Sequence, residues 1–170
     1  MDILPETRPN PDQLLEQLRD DEARAHRGRL RIYFGANAGV GKTFAMLSAA
    51  QRELKAGRDV LIGVIETHGR SDTADLLQGL EQLPRKDVAY RGQTLQEFDL
   101  DAALARKPAV LLVDELAHSN VQGSRHVKRW QDVLELLDAG IEVWTALNVQ
   151  HLESLNGTVG AITGIRVQET

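Results

Sequence analysis

One stretch constrains this chain more than any other: Gly35-Ala-Asn-Ala-Gly39-Val-Gly41-Lys42-Thr43, set between a short apolar run and a helical pattern. Glycines let such a loop curl until successive backbone N–H groups point inward, which makes a concave seat for anionic oxygens. The helix that follows adds its own unsatisfied N–H groups and the positive end of its dipole. In the pattern G-x-x-x-x-G-K-[ST], the lysine reaches the outer phosphates of a nucleotide and the hydroxyl residue meets Mg²⁺. The position six before Lys42 is Ala36 instead of glycine, with Gly35 beside it supplying backbone freedom. Gly35, Ala36, Gly39, Val40 and Gly41 are therefore the candidate backbone cradle, Lys42 the phosphate cation and Thr43 a metal ligand. A nucleotide's outer phosphates with Mg²⁺ are the ligands this spacing suits.

A phosphate loop needs a strand before it and a helix after it, and the chain supplies both. Leu30 to Phe34 reads as a strand and Thr43 to Ala56 as a helix closed by Gly57. Further strands are expected at Val60 to Ile65, Val110 to Val113, Ile141 to Leu147 and Ile162 to Val167. A minor one is expected at Val88 to Tyr90. Helices are expected near Thr73 to Leu83, over Asp101 to Arg106, and along the face Val127, Trp130, Val133, Leu134 and Leu137. Strands alternating with helices predict an α/β, three-layer sandwich of the P-loop NTPase kind, with a mostly parallel sheet. Counting the five major strands, the expected order is 5-1-4-3-2, with ligand over the C-terminal strand ends. Residues 1–28 read as an extended lead-in and a one-sided helix packed on the domain's edge through Leu14, Leu15 and Leu18. Residues 29–170 read as the nucleotide-binding domain.

The second half of such a site is an acid at the end of a buried strand. Val110-Leu-Leu-Val113-Asp114-Glu115 fits, with Asp114 as the Mg²⁺ partner and Glu115 as the candidate for orienting or deprotonating a water. Asn148, closing the strand Ile141 to Leu147, is a candidate sensor of the γ-phosphate and equally a turn or capping residue. The loop Glu66 to Asp72 leaves a strand on the same face, and its Arg70 is either a substrate contact or a solvated charge. Arg125 and Arg129 are candidates for an arginine finger, with a solvated helix face as the other reading for at least one of them.

Composition excludes several classes. The absence of cysteine removes disulfide scaffolds and cysteine-ligated zinc or iron–sulfur sites. His26, His68, His118, His126 and His151 form no i,i+4 pair about a glutamate, so the sequence offers no zincin motif. A formal charge of −5 lacks the basic footprint of nucleic-acid binding, which disfavours a nucleic-acid motor. The longest unbroken apolar run is Ala109 to Val113, far below the ~20 residues of a bilayer span, so no membrane insertion by this segment is expected.

Beyond these common signatures lie longer runs: Val113-Asp-Glu-Leu-Ala-His-Ser-Asn120, Gly123-Ser-Arg-His126, Lys128-Arg-Trp-Gln-Asp-Val133 and Leu136-Leu-Asp-Ala-Gly140. Leu147-Asn-Val-Gln-His-Leu-Glu-Ser-Leu-Asn156, Thr163-Gly-Ile-Arg-Val167 and Glu66-Thr-His-Gly-Arg70 continue them. From about Arg8 onward the chain resembles the N-terminal cytoplasmic domain of the KdpD potassium-sensing histidine kinases. The resemblance implies the cytoplasmic part of an inner-membrane sensor in a two-component system that controls potassium uptake. It further implies ATP binding through the phosphate loop and the acidic strand, tuning the kinase and phosphatase balance of a distant transmitter. The implied partners are the remaining domains of that kinase and, through them, its response regulator. Ala38 and Val127 depart from prolines common in the family and remove no proposed ligand. The transmitter's phosphoacceptor region is absent from these residues, so no histidine autophosphorylation by them is expected. At most slow ATP hydrolysis is expected, since fast turnover needs an ordered water and a charge-stabilising arginine. The other reading is a stand-alone P-loop ATPase or small-acceptor kinase.

Overall fold

The computed structural model describes residues 10–35, 41–67, 69–148 and 165–169. Six strands form one parallel sheet: β1 (Leu30–Gly35), β2 (Val60–Val64), β3 (Glu81–Gln82), β6 (Val110–Val113), β7 (Glu142–Asn148) and β8 (Ile165–Glu169). Their spatial order is β3-β2-β6-β7-β1-β8. This agrees with the expected order for the five long strands and adds β3 at the edge. Every strand pair in this sheet is parallel, as crossover connections through helices require.

Alternation along the strands divides the core into two faces. Leu30, Ile32, Leu111, Val113, Val143 and Leu147 point to one side, where they meet Leu100 and Ala103 of α4 (Leu100–Arg106) and Val133, Leu136 and Leu137 of α5 (Arg129–Asp138). Tyr33, Val60, Ile62, Val110, Leu112, Trp144 and Ala146 point to the other, against Met46, Leu47, Ala49 and Ala50 of α2 (Lys42–Lys55). The central strand β6 is buried at all four positions, which is why its sequence is an unbroken apolar run. Helices thus cover both faces of the sheet, and the C-terminal ends of β1, β2, β6 and β7 open onto one rim.

Three local expectations change. The helix near Thr73 to Leu83 shortens to α3 (Ser71–Asp75) and a turn. There the Gln51 amide of α2 donates to the carbonyls of Leu76 and Gln78, at 2.6 and 2.8 Å, and the chain after the turn pairs with β2 as β3. The minor strand becomes β4 (Lys86–Tyr90), joined in an antiparallel hairpin to an unexpected β5 (Gln93–Glu97). Its two-residue turn has Arg91 at φ 48° and Gly92 at φ 75°, the positive pair that matches strand twist. Finally, helix α1 (Pro11–His26) does not bury its leucines: Leu14, Leu15 and Leu18 are 47%, 50% and 54% exposed.

Candidate functional site

The rim residues of the four strands converge. Gly35 at the end of β1 pairs in register with Asn148 at the end of β7, and Val64 of β2 with Val113 of β6. A Cβ on Gly35 would lie 2.6 Å from Cγ of Lys42, so glycine there leaves the lysine stem room to lie across β1. Lys42 is buried and its Nζ donates to Asn148 Oδ1. Burial pulls the Lys42 ammonium below its ordinary pKa, opposed by the charges of Asp114 and Glu115. Ala36, Gly39 and Val40 lie outside the described residues, so the loop's own curl is not described. Its C-terminal hinge is, with Gly41 at φ 69° in the left-handed region immediately before α2.

Asp114 follows β6 and is buried. Its Oδ2 accepts from the N–H of Glu66 at 3.1 Å and from Thr43 Oγ1 at 3.3 Å, while Oδ1 accepts from the N–H of Glu115 at 2.9 Å. Burial pushes this carboxyl up, and those three hydrogen bonds pull against it. Mg²⁺ holds its ligands at 2.0–2.1 Å in an octahedron, whose adjacent oxygens are about 2.9 Å apart. A hydroxyl and a carboxylate oxygen at 3.3 Å fit adjacent ligand positions on such an ion. Among the described residues no group of three or more His, Cys, Asp or Glu side chains could hold a metal. Mg²⁺ at Thr43 and Asp114 would therefore need phosphate oxygens and water to complete its shell, the usual situation for this ion.

Glu115 has φ 57°, a left-handed conformation that costs a non-glycine residue roughly 1–2 kcal/mol. The chain there turns off the strand, and Leu116 N–H bonds back to Ala146 O of β7 at 3.0 Å. Glu115 thus stands at a strained turn beside Asp114, where its charge acts on both Lys42 and Asp114. Arg70 is exposed and lines a small cleft with Gly41, Thr43, Phe44, Glu66, Thr67 and Thr73. The cleft includes Thr43, one of the two candidate metal ligands.

Neither arginine-finger candidate is available for that role. Arg129 is 3% exposed, with Nη1 donating to the Asp114 carbonyl at 2.9 Å and Nη2 to Glu97 Oε2 at 3.4 Å. Arg125 pairs with Asp101 and Glu135, both at 2.7 Å, on the side of α4 and α5. The solvated-face reading also fails for Arg129, which is internal. Sequence reasoning missed Glu97, the buried carboxylate at the end of β5. Besides Arg129 it holds the N–H of Val121 at 2.9 Å and Nε2 of His118 at 3.0 Å. No motif surrounds it, and its strand lacks the apolar alternation that would have drawn attention.

A family profile described as the KdpD osmosensitive K⁺ channel His kinase sensor domain matches residues 26–170. The chain is similar to the sensor protein KdpD of Escherichia coli strain K12, at 63% identity over 163 residues, 96% of this chain and 18% of that protein. It is also similar to the sensor protein KdpD of Clostridium acetobutylicum, at 54% identity over 163 residues and the same two coverages. A putative sensor protein KdpD of Synechocystis is 49% identical over 143 residues, 84% of this chain and 39% of that protein. The chain spans less than a fifth of the length of the first two relatives. Among solved structures, the N-terminal domain of the DNA packaging ATPase from bacteriophage phi29 overlaps 95% of each chain. Its 14% identity and TM-score of 0.40 are too low a likeness to carry an argument.

Proposed function

Because the chain belongs to the KdpD family of osmosensitive potassium sensor kinases, we propose that it is that family's regulatory nucleotide module: a P-loop fold that binds Mg–ATP and passes its state to the rest of the kinase. The observation that carries this reading is the convergence of Lys42, Thr43, Asp114 and Asn148 from three separate elements onto one rim. Chance glycine-rich turns do not bring a buried lysine, a hydroxyl and a buried carboxylate together. In this reading Lys42 meets the outer phosphates, Thr43 and Asp114 hold Mg²⁺, and Asn148 senses the γ-phosphate. Glu115 orients water, and the backbone from Gly35 to Gly41 cradles the phosphates.

Hydrolysis in this reading is slow. Fast turnover requires an arginine or its equivalent held on the γ-phosphate. Arg125 and Arg129 are engaged elsewhere, and Arg70, in the cleft with Thr43, is exposed and not held there by any described residue. The module then works as a ligand-driven switch, in which Mg–ATP favours one arrangement of the rim loops by binding it more tightly. The remaining kinase domains read that arrangement and set the balance that reaches the response regulator. The module stands on the cytoplasmic side of an inner-membrane protein. No described helix is long and apolar enough to cross a membrane.

Titrating Mg–ATP against the chain and its Lys42→Ala form tests this reading, with phosphate release followed in parallel. The expected result is saturable binding by the parent and at least a tenfold loss in Lys42→Ala. Phosphate release should stay below about 0.01 per second, the range of nucleotide switches acting alone. Equal binding by the two forms would make the site reading wrong, and rapid release without a partner would favour a stand-alone ATPase.

A further inference from the structure

We infer that Arg129, locked by Glu97, is a positioning residue: it presets the turn Asp114–His118 so that the site responds to a triphosphate differently from a diphosphate. The inference rests on the nucleotide reading above and assigns a role to a residue that touches no phosphate.

The turn begins at Asp114 and passes through Glu115 in its left-handed conformation. Arg129 holds both ends of it. Its side chain donates to the Asp114 carbonyl at 2.9 Å, and its backbone N–H donates to the His118 carbonyl at 3.1 Å. Between these, the His118 N–H closes on the Glu115 carbonyl at 3.0 Å. A left-handed non-glycine residue persists where the surrounding structure over-determines it. Here the Leu116 N–H on the Ala146 carbonyl holds the middle of the turn, and the guanidinium and peptide of Arg129 hold its two ends.

Glu97 fixes the guanidinium in turn. Its Oε2 accepts from Arg129 Nη2, and its Oε1 accepts from Val121 N–H and lies 3.0 Å from His118 Nε2. A carboxylate only accepts, so His118 donates through Nε2. One carboxylate therefore ties the arginine, the end of the acidic turn and the following loop to strand β5. Arg129 and Glu97 are both almost wholly buried, so neither can swing into the rim to meet a ligand. Their geometric output is the direction in which Asp114 and Glu115 leave β6.

That direction matters unequally for the two nucleotides. A diphosphate with its Mg²⁺ draws on the phosphate loop, Lys42, Thr43 and the Asp114 side chain, which the Glu66 N–H and Thr43 anchor independently of Arg129. The third phosphate and an attacking water add a dependence on Glu115 and the turn beyond Asp114. Releasing the clamp lets Glu115 relax to an ordinary backbone conformation, and the loss falls on the triphosphate.

The test uses the whole chain with Arg129→Met and Glu97→Gln, measuring affinity for Mg–ADP and for Mg–ATPγS by calorimetry. Arg129→Met should weaken ATPγS tenfold or more and leave ADP within threefold of the parent. Glu97→Gln, which keeps volume but removes the charge and turns one of the two acceptor oxygens into a donor facing Arg129 Nη2 or the Val121 N–H, should weaken ATPγS three- to fivefold with the same selectivity. A purely structural role would move both nucleotides together, and equal losses or no loss in folded variants overturn the inference. Should Arg129→Met fail to fold, Glu97→Gln decides the matter alone. Parent protein that binds neither nucleotide overturns the site reading itself, a result separate from any variant's selectivity.

Discussion

Glu97 belongs to no motif, yet its loss should be among the costliest single changes in the chain. Its buried carboxylate is the acceptor for Arg129, His118 and the Val121 N–H. Burial pushes its pKa up, but the His118 and Val121 hydrogen bonds and the Arg129 charge outweigh that and hold it below the ordinary glutamate value. Glu97→Ala leaves a buried guanidinium without its counter-charge, which typically costs about 3–5 kcal/mol. For a domain of this size that is a melting temperature lower by roughly 10 °C, measurable by thermal unfolding. The sign of the pH dependence follows from the lowered folded pKa. The carboxylate's contribution is fully present above the unfolded value of about 4.3 and is lost as pH falls through the folded value. The gap between parent and Glu97→Ala should therefore narrow below about pH 4.3. A gap that stays constant down to pH 3 would mean that the charge is irrelevant and only packing was lost.

At the scale of elements, what was legible in the sequence follows from how strongly each element's environment is written into its own residues. Strand β6 could be read because burial on both faces demands an unbroken apolar run. Helix α2 could be read because a glycine-rich loop must precede it. The hairpin of β4 and β5 lies mostly exposed, so its residues carry no alternation, and its Arg91-Gly92 turn lacks the Asn-Gly or Asp-Gly signal. Lys42, Thr43 and Asp114 were legible as candidates, which the fold brings together, because phosphate chemistry restricts residue type and spacing. Arg129 was misread because a helix N-terminal arginine looks the same in sequence whether it faces water or the core. The leucines of α1 were misread for the same reason, since a stripe does not name what covers it. This contrast is measurable. Leu136→Ala in α5 removes a wholly buried side chain and should cost about 2–5 kcal/mol. Leu15→Ala in α1 should change stability by no more than about 0.5 kcal/mol, as for surface positions generally. Urea unfolding of both variants checks the pair, and a comparable loss in Leu15→Ala would place α1 against the domain in solution.

For the whole molecule, the parallel sheet separates rigidity from response. All four central strands are anchored by two apolar clusters, one on each face, and Lys42, Thr43, Asp114 and Asn148 gather at their C-terminal ends. A change at the rim can travel outward through the loops without deforming the sheet, since close-packed interiors switch between arrangements instead of bending. From Asp114 one route is continuous: the Arg129 guanidinium on its carbonyl, then Glu97, then strand β5 and its hairpin partner β4. From Thr43 a second route runs through Asp114 Oδ2 to the Glu66 N–H. Hydrogen exchange with and without Mg–ATPγS should therefore slow amides at Glu66, at 114–121 and along 86–97. Amides of α5 and the N-terminal ends of the strands should change little, because their exchange is governed by the core. Adding Mg–ADP should protect the start of α2 while leaving 86–97 near the free state. Protection spread evenly over the domain would instead signify simple ligand stabilisation, which raises every globally exchanging amide by the same RT ln(1 + [L]/Kd). A hairpin indifferent to both nucleotides would confine the response to the rim and remove β4 and β5 as a surface through which other kinase domains sense it.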